Sequence, residues 1–150
     1  MKQMEVVCGV LVSDGKVFIG RRRSRHANGV WEFPGGKIET GEDPRGTVRR
    51  ELQEELGLQV EVGPVFDVIH YAYPQRTVTM LLYLCALPGE QSPRCLDGPV
   101  DVKWVTPDRL EPEKFLAADR PLIAAIQKKP QQFMTKAAVL WRDYRSREEV

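Results

Sequence analysis

Between Asp43 and Gly57 the chain carries the signals a helix needs to start, pack and stop, and this segment constrains everything around it. Asp43 offers an N-cap oxygen, Pro44 fits the first helical position, and Gly57 is placed to end the helix in a left-handed turn. The spacing predicts a helix over 44–56. Val48, Leu52 and Leu56 recur every four residues, so one stripe of this helix faces a core. Glu51, Glu54 and Glu55 stand at i, i+3 and i+4 and share a different face. Three like charges this close repel, and they lie near the helix C-terminus, where the macrodipole also disfavours them. Two readings account for them: a solvated acidic face with Arg49 and Arg50 as partners, or a site for a divalent cation. Oxygen ligands with no His or Cys nearby favour Mg²⁺ or Mn²⁺ over zinc. Because Mg²⁺ commonly joins protein carboxylates to substrate phosphates, the second reading anticipates a phosphate-bearing ligand. Gly35 and Gly36, just upstream, allow a backbone that approaches such an ion or phosphate closely.

The rest of the chain supplies the layers this helix would pack against. Met4 to Val12 and Lys16 to Gly20 are β-rich runs joined at Ser13-Asp14-Gly15, where Asp-Gly suits a tight hairpin. Arg21 to Gly29 reads as a loop, with Ser24, Asn28 and Gly29 as its turn residues, and leads to a short apolar segment, Val30 to Phe33. Gln59 to Val65, Asp67 to Tyr73 and Thr77 to Ala86 are expected as strands, with turns at Gly63-Pro64 and Pro74-Gln75-Arg76. A short strand over Asp101 to Val105, a helical turn over Pro107 to Leu110 and a helix including Leu122 to Gln127 follow. In the tail, Phe133, Ala137, Leu140, Trp141 and Tyr144 fall at helical spacing. That helix is expected to pack on its own chain, with a dimer helix as the alternative. Mixed strands with two or three helices indicate an α/β or α+β sandwich.

Composition limits the partners. With 150 residues, 22 Lys+Arg against 21 Asp+Glu and a net charge of +1, the chain is the size of one domain and lacks the basic excess of a nucleic-acid polymer binder. The longest apolar stretch, Val78 to Leu87, is too short to cross a bilayer and reads as a buried strand. Cys8, Cys85 and Cys95 are odd in number and form no CxxC pair, and the N-terminus carries no signal-peptide pattern. A cytoplasmic protein with no membrane partner is expected, as monomer or homodimer.

Gly36, five residues, Glu42, seven residues, then Arg50-Glu51-Leu52-Gln53-Glu54-Glu55-Leu56-Gly57-Leu58 resembles a complete Nudix box, with all nine specified positions of the 23-residue pattern present. The likeness extends over about residues 4–128, to the MutT-type and CTP pyrophosphohydrolase branch of the Nudix hydrolases. It rests on Trp31-Glu32-Phe33-Pro34-Gly35-Gly36-Lys37-Ile38-Glu39, on Tyr73-Pro74-Gln75-Arg76 and on Phe115 to Pro121. The resemblance implies a single domain with the Nudix α/β/α sandwich and a mixed central sheet, and Mg²⁺-dependent hydrolysis (Mn²⁺ substituting) of a nucleoside triphosphate to monophosphate and pyrophosphate. It assigns Glu51, Glu54, Glu55 and the Gly35 carbonyl to the metal, Arg50 to orienting Glu51, and Glu42 to the metal or its water. One element matches poorly. Relatives supply a further acid before the last strand, for which Asp97 is the better candidate here and Asp101 the second.

For the nucleotide, the resemblance points to Arg21 first among Arg21, Arg22 and Arg23 as a triphosphate contact, and to Lys37, Phe33 and Arg76 around phosphate and base. Asp119-Arg120-Pro121 stands where oxidised-guanine enzymes tend to have Asn, and is closer to relatives acting on cytidine nucleotides. An ionised Asp119 only accepts hydrogen bonds, which suits the cytosine amino group or the N1 and N2 donors of guanine; it is also placed to cap the following helix. The expected substrate is 8-oxo-dGTP or a cytidine nucleotide such as CTP, dCTP or 5-methyl-dCTP. The alternatives are a nucleotide sugar or dinucleotide as substrate, or a non-catalytic nucleotide-binding domain.

Overall fold

Alternate residues of the continuously buried stretches of β1 (Lys2–Ser13) and β6 (Arg76–Ala86) face two core layers, one on each side of the sheet. The computed structural model describes residues 2–23 and 29–148; the turn residues expected at Ser24 and Asn28 lie outside the described residues. On one side Val7, Leu11, Tyr83 and Cys85 meet α1 (Pro44–Leu56) through Val48, Leu52 and Leu56. On the other, Cys8, Val10, Met80, Leu82 and Leu84 meet α2 (Arg120–Lys128) and α3 (Pro130–Glu148) through Ile123, Ile126, Phe133 and Ala137. The result is the expected α/β/α arrangement on a mixed sheet.

The sheet follows the order β3-β2-β1-β6-β5, in which β2 is Lys16–Arg22, β3 Val30–Glu32 and β5 Glu61–Tyr73. β1 and β6 run parallel, with Val7 opposite Leu81. Two further strands branch from this path: β4 (Gly35–Lys37) pairs antiparallel with β1, and β7 (Pro99–Val105) pairs antiparallel with β2. β4 was not expected. Gly-Gly-Lys has no apolar pattern, and it becomes a strand through backbone pairing alone. That pairing is intimate, since a Cβ on Gly35 would collide with the Val7 carbonyl.

A second difference concerns Gly63-Pro64. Two strands divided by a turn were expected over 59–73, whereas β5 is continuous, with register shifts between Val62 and Val65 and between Val65 and Asp67. β5 lies at the edge of its sheet, where a residue without an N–H is tolerated at a bulge.

α1 matches its expected bounds. Asp43 accepts from the Gly46 N–H at 2.9 Å, and Gly57 closes the helix at φ +68°. Its stripe packs tightly: Leu52 is fully buried, and β1 presents Gly9 beneath it, where a Cβ would lie 3.1 Å from the leucine Cδ2. Leu52→Ala is therefore expected to lower unfolding stability by about 2–5 kcal/mol, measurable by urea denaturation of the purified protein.

Candidate active site

The carboxylates of α1 divide between two arginines. Arg50 donates to Glu51 at 3.0 Å, to Glu54 at 3.2 Å, and through Nε and Nη2 to both oxygens of Glu42 at 2.6 and 2.9 Å. Glu42 also accepts from the Glu39 N–H and the Thr47 hydroxyl. Both Glu42 oxygens are thus engaged, and Arg50 with these neighbours holds the Glu42 carboxyl down at about 2. Glu55 turns the other way. It is buried, takes one bond from Arg22 at 3.1 Å, and leaves Oε2 without a donor among the described residues. Burial first, then Glu51, pushes its carboxyl up to about 8 against the pull of Arg22.

Gly36 of β4 lies directly against this face: a Cβ there would overlap the Glu51 carboxyl group. The C-terminal end of α1 is capped by a passing loop, in which Arg94 donates its N–H to Leu56, and Leu96 and Asp97 donate theirs to Glu55. Asp97 is thereby brought beside Glu55 with its side chain exposed. Asp101 points elsewhere, bonding the Val102 N–H and lying 3.9 Å from Arg21.

As placed, no three acidic, His or Cys side chains among the described residues form a ready cage for an ion, because Glu51 and Glu54 are tied to Arg50. The chemistry of the donors nonetheless fits a hard divalent cation. Glu55 has an orphaned buried oxygen with Glu51 beside it, and a donor set of oxygens alone suits Mg²⁺ or Mn²⁺.

A cavity of about 410 Å³ opens beside Gly35 and Gly36 and runs to Asp119. Arg22, Phe33 and Arg76 line it, and Arg22 also binds Glu32 at 2.6 Å. Arg21 does not line it. The β2–β7 register shifts between Arg21 and Arg22, and Arg21 instead lies near Asp101 and over the Trp31 ring. Lys37, at the end of β4, is exposed and is absent from the lining; its carbonyl accepts from Arg50. Phe33 is buried against Phe115, and Arg76 stacks on Tyr73. A larger hollow of about 750 Å³, bounded by Asp14, Glu90, Gln91 and Trp104, contains none of the α1 carboxylates.

Asp119 is 2% exposed and its Oδ1 has no hydrogen-bond partner among the described residues; it makes no side-chain cap to α2, so the capping role expected from sequence is not taken up. Burial first and the charge of Glu32 second push its carboxyl up to about 7. The side chain is therefore both acid and base near neutrality, where an acceptor alone was expected. Its turn is fixed from outside by Tyr73, whose hydroxyl accepts from the Ala118 N–H at 3.2 Å. Glu32 and Tyr73 are two cavity residues with oxygen-bearing side chains to which sequence reasoning gave no role. Their only signal was a place in the WEFPGGK and YPQR segments.

The NUDIX domain family matches residues 1–126. The chain belongs to the Nudix family. It is 33% identical over 130 residues to an 8-oxo-dGTP diphosphatase of Escherichia coli, covering 85% of this chain and 99% of that one. It is likewise 33% identical over 129 residues to a CTP pyrophosphohydrolase of E. coli, covering 83% and 92%. The solution structure of the E. coli ORF135 protein superposes with a TM-score of 0.71 at 28% identity, over 85% of this chain and 91% of that one. As a Nudix chain with relatives named diphosphatase and pyrophosphohydrolase, the protein is a hydrolase of phosphoric anhydride bonds.

The raised carboxyl of Asp119 has a stability consequence. The folded state holds its proton between pH 3.8 and about 7 while the unfolded chain has lost it, so folding stability falls as pH rises through that window and levels off above it. Asp119→Asn should flatten this slope and melt higher than the wild type above pH 7, as read from melting temperatures across the pH range.

Proposed function

We propose that this Nudix hydrolase is a nucleoside triphosphate pyrophosphohydrolase whose base pocket ends at Asp119 and Glu32. The observation that carries this reading is the single cavity that joins the Gly35–Gly36 backbone and Arg22, beside the α1 carboxylates, to the buried Asp119, with the half-buried Glu32 in its lining between them. A triphosphate at the first end and a base at the second would fill it. The names of the two E. coli relatives support the same class and divide on the base, oxidised guanine in one and cytosine in the other.

In this reading Glu51, Glu54 and Glu55, with the Gly35 carbonyl, hold Mg²⁺ or Mn²⁺. The ion supplies charge neutralisation on the phosphate oxygens and a water of lowered pKa. Arg50 keeps Glu51 and Glu54 pointed toward β4, and Glu42 acts through Arg50 rather than as a ligand. Arg22 meets phosphate oxygens while its other nitrogens stay on Glu32 and Glu55. Asp97, exposed beside Glu55, is the candidate proton acceptor for the attacking water. At the other end, a carboxyl balanced near neutrality can donate when protonated and accept when ionised, so Asp119 suits the mixed edge of a modified guanine as well as the cytosine amino group. Cys8 and Cys85 as buried free thiols, and Cys95 exposed, agree with a reducing cytoplasmic setting. No helix among the described residues is long and apolar enough to cross a membrane.

The test is release of pyrophosphate by purified protein with Mg²⁺ over the common NTPs and dNTPs, 8-oxo-dGTP, 5-methyl-dCTP, ADP-ribose and NADH, with products identified. Hydrolysis of 8-oxo-dGTP or cytidine triphosphates to monophosphate is the expected result. Cleavage of only ADP-ribose or NADH would transfer the site to dinucleotides or nucleotide sugars, and no turnover would favour a binding domain. Glu54→Gln should cut the rate by at least about tenfold, and Asp97→Asn by about tenfold or more if it takes the proton. Asp119→Asn should change the ratio of rates between bases without abolishing hydrolysis; an unchanged ratio would remove Asp119 from base reading.

A further inference from the structure

α3 lies beyond the residues that match the Nudix family and packs on the side of the sheet opposite α1, yet its second half reaches the start of α1 past the β5 edge. Its first half buries Phe133 and Ala137, with Phe133 edge-on to Phe66 of β5 at 5.0 Å. Its second half meets the β5 bulge. Trp141 covers Gly63 so closely that a Cβ there would lie 2.6 Å from the indole ring, and Tyr144 donates its hydroxyl to the Val62 carbonyl at 3.3 Å.

The same tyrosine oxygen accepts from Arg45 at 2.7 Å. Arg45 belongs to the first turn of α1, and its guanidinium also donates to the Gly63 carbonyl at 2.8 Å and to that of Val62. It lies between two phenol rings, Tyr83 of β6 at 5.8 Å and Tyr144 of α3 at 5.4 Å. One side chain thus ties the start of α1, the bulge of β5 and the tail helix together.

The apolar stripe of α1 holds the helix against the sheet but is non-directional, so by itself it sets the axial position weakly. The forked bonds of Arg45 are directional. They anchor the first turn of α1 to the β5 bulge, while Arg50 ties the middle of the same helix to the Lys37 carbonyl of β4. We propose that α3 is a positioning element for α1, in which Tyr144 and Trp141 hold Arg45 and Arg45 sets the register of the carboxylate-bearing helix against β4. This inference rests on the reading of α1 as the metal and phosphate side of the site.

The test uses the full chain with Tyr144→Phe, Trp141→Ala and Arg45→Lys, and Val139→Ala as an exposed tail control. Hydrogen exchange of the 44–56 amides and Mn²⁺ affinity, read from the free-ion electron paramagnetic resonance signal, are measured without nucleotide. kcat, KM and melting temperature follow. Tyr144→Phe and Trp141→Ala should speed exchange in α1, weaken Mn²⁺ binding several-fold, and lower kcat by roughly tenfold with KM for nucleotide little changed. Arg45→Lys, which keeps the charge and loses the fork, should have at least as large an effect as Tyr144→Phe, which leaves the Arg45 bonds to Val62 and Gly63 in place. A drop in melting temperature with unchanged Mn²⁺ affinity and α1 exchange would overturn the proposal and leave α3 a purely stabilising helix. If the wild type binds Mn²⁺ but cleaves no triphosphate, the functional reading fails while exchange and Mn²⁺ affinity still decide the role of α3. If it binds no Mn²⁺, the metal reading fails and α1 exchange alone decides.

Discussion

One guanidinium makes the acidic face of α1 possible. Glu51 and Glu54, with Glu42 from the preceding loop, would repel one another at the end of a helix whose dipole already disfavours them. Arg50 sits among all three, and its planar fork reaches Glu42 with two nitrogens while a third serves Glu51 and Glu54. Because Glu42 is also bonded to the Glu39 amide and the Thr47 hydroxyl, the same guanidinium closes the loop that joins β4 to α1. The helix, the loop and the glycine strand are thus held in one arrangement by charge that would otherwise drive them apart. A cation at this face would relieve the same repulsion, which is why the structural and the chemical account of these residues coincide.

Glu55 lies outside that arrangement and has a different balance. It is buried, half-satisfied and raised toward neutrality, and its one strong partner, Arg22, is shared with Glu32. Glu32 in turn is the charge that helps raise Asp119 at the far end of the cavity. A line of interacting titratable groups therefore runs from the α1 carboxylates toward the far end of the cavity: Glu55, Arg22, Glu32, Asp119. Change at one end alters the field at the other, because these groups are buried or half-buried and poorly screened.

How much of this was legible depends on whether the cause was local. α1 was readable to the residue because its caps, Pro44 and its stripe are all within the segment. The spacing of Glu51, Glu54 and Glu55 was readable for the same reason, but not that Glu55 turns away from the other two to meet Arg22. β4 was not, since three residues without an apolar pattern become a strand only by pairing with β1. Gly63-Pro64 carries the composition of a turn, and only the edge position of β5 makes it a bulge. The choice between Arg21 and Arg22 turned on a one-residue register shift against β7, a strand about 80 positions away in sequence. The unpartnered Oδ1 of Asp119 and the proximity of Glu32 depend on three separate elements converging, which no window of sequence contains.

The same distinction explains why the tail matters beyond its own burial. Within the box, Arg50 ties the middle of α1 to the Lys37 carbonyl of β4 and to Glu42, and the two ends of the helix are held by contacts with segments outside the box. The 94–97 loop takes the last carbonyls of α1, and Arg45 takes the bulge carbonyls under Tyr144. Both ends of α1 are therefore held by directional bonds to parts of the chain outside the helix, while its middle is held by apolar contact and by Arg50. The family match ends at residue 126, and Tyr144, beyond it, is bonded to Arg45 in the first turn of α1.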